Sequence, residues 1–425
     1  MGAAFGGLLC DSLGWRAAFS VQLPFIFVYG LLAFFSTPDN LGPNLAKTQG
    51  KTLREAFGSF DVVGALLLTV TITCLILGIN LGGNVFTWTH PVVLTSLALF
   101  AVAAVLLVPV ERRAEWPILP LPLLSTIPNA NLMWSNFLGA IITNTVLFNV
   151  PLFLQAVRQT SATTSGLYLI SPLVGVSITS VFAGFFITWT RRLKPLMVVG
   201  TISMLLGAVA VTCLSPTLPV GAMLMLIPGA SIGQGFFFPA TMITVLAINR
   251  QDEQAVVTTT LGLLRNLGAI LGVALSSWVF QNALIIYLGK SVTGSPEVKR
   301  RIILQVRESI KAIATLDPKH KAEVIHAYDQ ALHLTFASVI IVAVVVISLI
   351  LPIRLPRLQR QSDMDAAESI TTIADGDDYG VYGSDDTSEH GSERPDELHR
   401  IATASTSLDY GQSDLQRRPS FETYL

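Results

Sequence analysis

Long charge-free runs, broken at intervals by short polar clusters, dominate the first 353 residues. The hydrocarbon core of a bilayer is about 30 Å thick, so a helix that crosses it needs roughly 20 apolar residues. Runs of that length fall at 17–35, 62–82, 92–110, 132–157, 165–188, 195–214, 220–248, 266–288 and 334–353. They predict nine membrane-spanning helices. Each contains Gly, Ser, Thr or Pro, which membrane helices accommodate. The first ten residues are apolar and Gly-rich but too short to span. They read as the end of a helix whose beginning is absent.

Composition agrees with this pattern. The chain is 51% hydrophobic and 13% charged, about half the charge of an ordinary soluble domain. The formal net charge of −1 conceals a division. From Leu355 onward there are 15 acidic and 6 basic residues, and the remainder has 13 acidic and 21 basic. A basic body with an acidic appendix suits an integral membrane protein. Its basic residues are scattered over short loops, which argues against nucleic-acid binding. Setting aside Arg265, which borders a span, and the tail beyond Arg360, the segments after the first, third, fifth, seventh and ninth spans hold 12 Lys/Arg, against 2 in the segment before the first span and the short loops after the second, fourth and sixth. The positive-inside rule therefore puts the richer set, with the C-terminus, in the cytosol. The segment 289–333 carries eight Lys/Arg on the other side, where the rule weakens for long loops. Its Val298, Ile302, Val306, Ile310 and Ile313 recur at helical spacing and predict a surface helix across the mouth of the bundle. The tail 354–425 has few large aliphatics and is expected to be disordered.

Cys10, Cys74 and Cys213 are far apart, each in or beside an apolar run. They form neither a disulfide framework nor a metal-ligand spacing. No paired carboxylates and no H-E-x-x-H occur on a span, so a membrane-embedded enzyme is not expected. No cofactor is expected either.

Asp11-Ser-Leu-Gly-Trp-Arg16, followed by Phe19-Ser-Val-Gln-Leu-Pro24, resembles a junction found in major facilitator transporters of the fourteen-helix drug:proton antiporter group. Gly2-Ala-Ala-Phe-Gly6-Gly7 resembles that group's G-P-x-x-G-G antiporter motif, with Ala3 where the family has proline. Further matches run in order through Phe60-Asp61-Val-Val-Gly64, Pro117-Ile-Leu-Pro120, Pro151-Leu-Phe-Leu-Gln155 with Ser165-Gly166, and Leu264-Arg265-Asn-Leu-Gly268. Gln22, Ala327-Tyr328 and Ala331-Leu332 look most like the fungal vacuolar basic amino acid transporter branch.

The resemblance implies an all-α polytopic membrane protein, a major facilitator fold lacking its first four and a half helices. Residues 1–35 would close the N-terminal half. Residues 36–125 would hold a cytosolic loop and two inserted helices. Residues 126–353 would form the C-terminal six-helix half, with a long amphipathic non-cytosolic loop at 289–333, and 354–425 the acidic cytosolic tail. It also implies a transporter in the vacuolar or plasma membrane, exchanging basic amino acids or drugs for protons. The alternative is a non-transporting remnant or a regulatory membrane protein. Expected partners are a small-molecule substrate, protons and the lipid bilayer.

Five residues are candidates for lining the solute path: Asn136, Thr143, Asn144, Gln155 and Gln234. Amides in hydrocarbon need partners, so they should face a cavity or a neighbouring helix. Helix–helix hydrogen bonding is the competing role for each. Gly2, Gly6, Gly7, Arg16, Pro24, Arg265 and Gly268 are candidates for structural or gating positions. For Arg265 an interfacial anchor and an intramembrane functional cation both stand open. No carboxylate falls within the nine runs, Asp11 and Asp61 lying at ends. The titratable group of a proton-coupled cycle is therefore expected in the missing half.

Overall fold

The computed structural model describes residues 9, 14–36, 61–82, 86–114, 117–250, 253–293, 296–308, 313 and 316–355. Residues 1–356 and 357–425 are separate units, and the described residues all belong to the first. Gly2, Gly6 and Gly7 and the tail beyond Leu355 lie outside the described residues. In chain order the helices are α1 (Trp15–Ser20), α2 (Gln22–Ser36), α3 (Val62–Leu81), α4 (Pro91–Arg113), α5 (Leu121–Ser125), α6 (Asn129–Ala156), α7 (Ala162–Tyr168), α8 (Ile170–Thr190), α9 (Lys194–Thr212), α10 (Val220–Leu226), α11 (Gly229–Ile248), α12 (Gln254–Ser291), α13 (Pro296–Glu308) and α14 (Pro318–Ile350). The only β contact among the described residues is an isolated bridge between Gly82 and Phe86.

Local chemistry starts and stops these helices. Asp61 caps α3, its Oδ1 accepting from the Gly64 amide at 2.7 Å. That removes one of the unpaired N–H groups every helix start exposes. Pro91 opens α4, where a missing N–H costs nothing. Ser161 caps α7 by accepting from the Thr164 amide at 3.2 Å. Arg191 ends α8 in the left-handed region, at φ 53°.

Eight helices among the described residues are long and apolar enough to cross a membrane, counting α7–α8 and α10–α11 each as one. Nine were expected. The run 17–35 instead divides at Val21 into α1 and α2, and α2 has only 15 residues. Pro24 accounts for the break. It has no N–H to give to the Ser20 carbonyl, and its ring crowds that group. The run 220–248 likewise kinks between α10 and α11, where Pro228 precedes Gly229.

Two helices overrun the expected limits. α12 begins at Gln254, twelve positions before its apolar run, and α14 begins at Pro318, sixteen before its own. Hydropathy marks only the lipid-compatible part of a helix, whereas backbone hydrogen bonding carries it on into water. The segment 289–333 is therefore largely helical among its described residues. In it α13 buries Ile302 and Val306, and beyond it Ile313 is buried as well. All three join a core containing Phe280 and Leu284 of α12 and Val324, Tyr328 and Leu332 of α14. The Tyr328 hydroxyl donates to the Val306 carbonyl at 3.0 Å. The side chains of Val298 and Ile310 lie outside the described set.

The bundle is held by close backbone approach. A Cβ on Gly268 of α12 would collide with the Phe137 carbonyl of α6, and one on Gly272 would lie 2.8 Å from the Ile141 oxygen. On the α9–α11 seam, a Cβ on Gly200 would lie 2.9 Å from the Gly233 oxygen, and one on Gly207 would run into Ala230. Lipid tails are as apolar as leucine, so small residues that allow tight van der Waals contact hold membrane helices together. The outer surface shows the corollary. On α8, Phe185 is 73% and Trp189 86% exposed, which suits contact with lipid and not with water.

Candidate functional site

α6 is the most enclosed of the candidate spans. It packs against α12 and α14 and also touches α11. Three hydrogen bonds fix its start. Asn129 and Asn249, at the end of α11, exchange amide hydrogen bonds of 2.7 and 3.0 Å, and Asn131 donates to the Leu349 carbonyl of α14 at 3.0 Å. Higher up, Thr145 Oγ1 donates to the Gly272 carbonyl at 3.1 Å. The close approach that Gly268 and Gly272 permit is what brings that carbonyl within reach.

The Asn129–Asn249 pair sets a common level for α6 and α11. At 1.5 Å per residue, Asn136 lies about 10 Å along from it, and Thr143, Asn144 and Gln234 all lie roughly 21–23 Å along. Gln155 is about 28 Å beyond Asn136 on the same helix, too far to share one small solute with it. The five candidates thus separate into a band of four and one residue near the far end of α6.

Hydrogen bonding divides the band again. Thr143 Oγ1 donates to the Gly139 carbonyl at 3.2 Å, and Asn144 Nδ2 to the Ala140 carbonyl at 2.9 Å. Both satisfy their donors on their own helix. Asn136 is 3% exposed, Gln234 is half-buried, and neither side chain hydrogen-bonds to another described residue. These two amides are uncommitted. Asn149 gives its Nδ2 to the Thr145 carbonyl at 2.8 Å, while its buried Oδ1 has no partner among the described residues.

Sequence reading missed a pairing here. The Arg265 guanidinium of α12 lies over the Phe238 ring of α11, 3.7 Å from its centroid. A cation stacked on an aromatic face gains about 0.5–2 kcal/mol, more where water is excluded. Phe238 is separated from Arg265 by a loop and parts of two helices, so no local motif joins them. The remaining described motif residues make the following contacts. Gly268 makes the α6–α12 approach, Pro24 breaks the helix between α1 and α2, and the backbone oxygen of Arg16 accepts from Ser20 Oγ at 3.2 Å.

α4 runs on to Arg113, so Glu111, the first residue past the apolar run 92–110, is still helical, and it is only 2% exposed. Its Oε2 accepts from the Leu119 amide at 3.1 Å, while Oε1 is unpartnered among the described residues. It pins the Pro117–Pro120 turn to the end of α4. Among the described residues no group of three or more His, Cys, Asp or Glu could hold a metal.

A helical architecture among the described residues, glycine-zipped seams and a polar band inside an apolar bundle suit a solute carrier. The sequence profile of the Major Facilitator Superfamily matches residues 1–273. The chain belongs to that superfamily. It is a multi-pass integral membrane protein of a transporter family, not an enzyme. Relatives include vacuolar basic amino acid transporter 2 of Saccharomyces cerevisiae, 29% identical over 343 residues, covering 78% of this chain and 71% of that protein. Multidrug resistance protein fnx1 of Schizosaccharomyces pombe is 27% identical over 347 residues, covering 81% and 64%. Vacuolar membrane amino acid uptake transporter fnx2 of the same yeast is 26% identical over 354 residues, covering 80% and 57%. The superfamily member described here thus spans between about half and three quarters of these relatives' lengths.

Proposed function

We propose that this major facilitator protein is a secondary transporter, exchanging small solutes (basic amino acids or drugs) for protons across a vacuolar or plasma membrane. The carrying observation is the band on α6 and α11 in which Asn136 and Gln234 keep their amides uncommitted. A polar group without a partner in hydrocarbon costs several kcal/mol, and a solute or water in a cavity removes that cost. Thr143 and Asn144, satisfied on their own helix, shape the wall and contribute less to recognition. Gln155, far along α6, serves the helix end or a gate. The names of the relatives, two of them vacuolar amino acid transporters and one a multidrug resistance protein, support the solute classes. The excess of Lys/Arg on one set of loops supports a cytosolic C-terminus.

Reconstitution tests this reading. Liposomes carrying the full-length product of the gene, with an acidic interior, should accumulate radiolabelled L-lysine or ethidium, and a protonophore should abolish the accumulation. Uptake that ignores the pH gradient would remove proton coupling. Absence of uptake for both probes would remove the transport reading.

A further inference from the structure

The geometry points to Arg265 as the receptor for a carboxylate on the transported solute, a reading that rests on the transport function proposed above and names a chemical feature of its substrate. Arg265 lies eleven residues after Gln254, and Phe238 ten before Ile248. Both positions are therefore about 15 Å inside the nearer ends of their helices. A guanidinium that escaped to the interface would extend toward a helix end. This one instead rests on a ring at that depth, 3.7 Å from the centroid.

A cation inside a span is expensive and normally pairs with an anion or backbone carbonyls. No acidic side chain among the described residues lies within ion-pairing distance of Arg265, and it donates no hydrogen bond to them. The ring covers one face of the guanidinium plane. The N–H groups at its edge remain, in the fork geometry that takes a carboxylate bidentately. The height also fits. Arg265 and Phe238 fall between the levels of the two uncommitted amides; Gln234 precedes Phe238 by one turn on the same side of α11, and Arg265 precedes by one turn Gly268, which abuts Phe137, the neighbour of Asn136. The ligand is a solute bearing a carboxylate, its other end answered by amides. The other source of the same chemistry is an acidic side chain elsewhere in this chain.

The test uses the full chain in detergent, with amino acids each paired with its carboxamide; L-lysine and L-lysinamide are the first pair. Binding is read by thermal shift and by equilibrium dialysis. In the wild type the carboxylate member should bind at least ten-fold more tightly than its amide. Arg265→Gln should abolish that preference, and its ligand-free melting temperature should fall no further than that of Phe238→Leu, which removes the same stacking. Arg265→Lys, which keeps the charge but loses the fork, should retain part of the preference. The inference is overturned if Arg265→Gln keeps the carboxylate preference, or if the wild type binds acid and amide equally while still binding both. A fall in the ligand-free melting temperature with the preference intact would assign the cation to an acidic side chain of the chain itself, and would also overturn it. Should the wild type bind no member of the panel, both this inference and the transport reading would fall.

Discussion

At the scale of single residues, the useful distinction is between polar groups that are spoken for and those that are not. Thr143 and Asn136 lie on one buried stretch of α6, yet Thr143 gives its proton to the Gly139 carbonyl and Asn136 gives its amide to no described residue. Asn136→Leu and Gln234→Leu are expected to lower solute uptake by roughly ten-fold each, the scale of one lost hydrogen bond. Thr143→Val should change it less than two-fold; uptake rates normalised to protein in the membrane decide the matter. Sequence alone ranked the residues equally, because spacing reports a face and not a partner. Gly268 carries a second residue-level prediction. A methyl group there meets the Phe137 carbonyl, so Gly268→Ala should destabilise the bundle by about 1–3 kcal/mol, as overpacking does. Gly184, with open space where its Cβ would be, is the matched control. A melting temperature for Gly268→Ala no lower than that of Gly184→Ala would contradict the packing described for α6 and α12.

At the scale of elements, helices end where capping and proline dictate rather than where hydropathy fades. α14 shows this best. Pro318 starts it four turns ahead of the apolar run, with the Asp317 carbonyl accepting from the Lys321 amide at 2.8 Å, and the added turns carry His320, Glu323, His326, Asp329 and His333 outside the spanning segment. Glu323 links this extension to the end of α12. It accepts from the Thr293 hydroxyl at 2.6 Å and from the Thr293 amide at 3.1 Å, with His320 Nδ1 also 3.0 Å away. Those bonds, the Thr293 hydroxyl foremost, hold its pKa down at about 2 from an ordinary 4.5. A depressed carboxylate pKa means that the stabilisation is present above the unfolded value and disappears as pH falls through the folded one. The link should therefore be indifferent to pH between 7 and 5 and weaken only between 4.5 and about 2. Hydrogen-exchange protection at the Thr293 amide, corrected for the intrinsic rate, measures it. Loss of protection already at pH 6 would show that another group controls the contact. Glu323→Gln should flatten the acid transition.

At the scale of the whole molecule, the fold separates two polar environments that composition lumps together. The loops at 112–113, 191–194 and 250 carry cations at one end of the bundle, while 158–161 and 213–219 at the other end are nearly free of them. Membrane-impermeant maleimide should label Arg192→Cys from the cytosolic face only and Gln159→Cys from the opposite face only, in a background lacking Cys10, Cys74 and Cys213. Labelling of both from one face would contradict the membrane topology. The same two-sided order explains why the extended α12 and α14 meet α13 at the far end, where Ile302, Val306 and Ile313 find an apolar surface that the lipid does not supply.

Spans, loop charges and their alternation were legible along the chain because the bilayer imposes a length and a polarity that a linear reading can detect. Helix limits were legible less well. The division of the first run at Val21 required weighing Pro24 against hydropathy, and the burial of Glu111 required knowing that α4 runs past its last apolar residue. The site was legible only as a list of residue types. The distance of Gln155 from Asn136 follows from helix rise alone, but which amides are free and that Arg265 meets Phe238 follow from the relative heights and rotations of α6, α11 and α12. Those are set by where glycines let backbones touch, a property of pairs of helices that no single stretch of sequence contains.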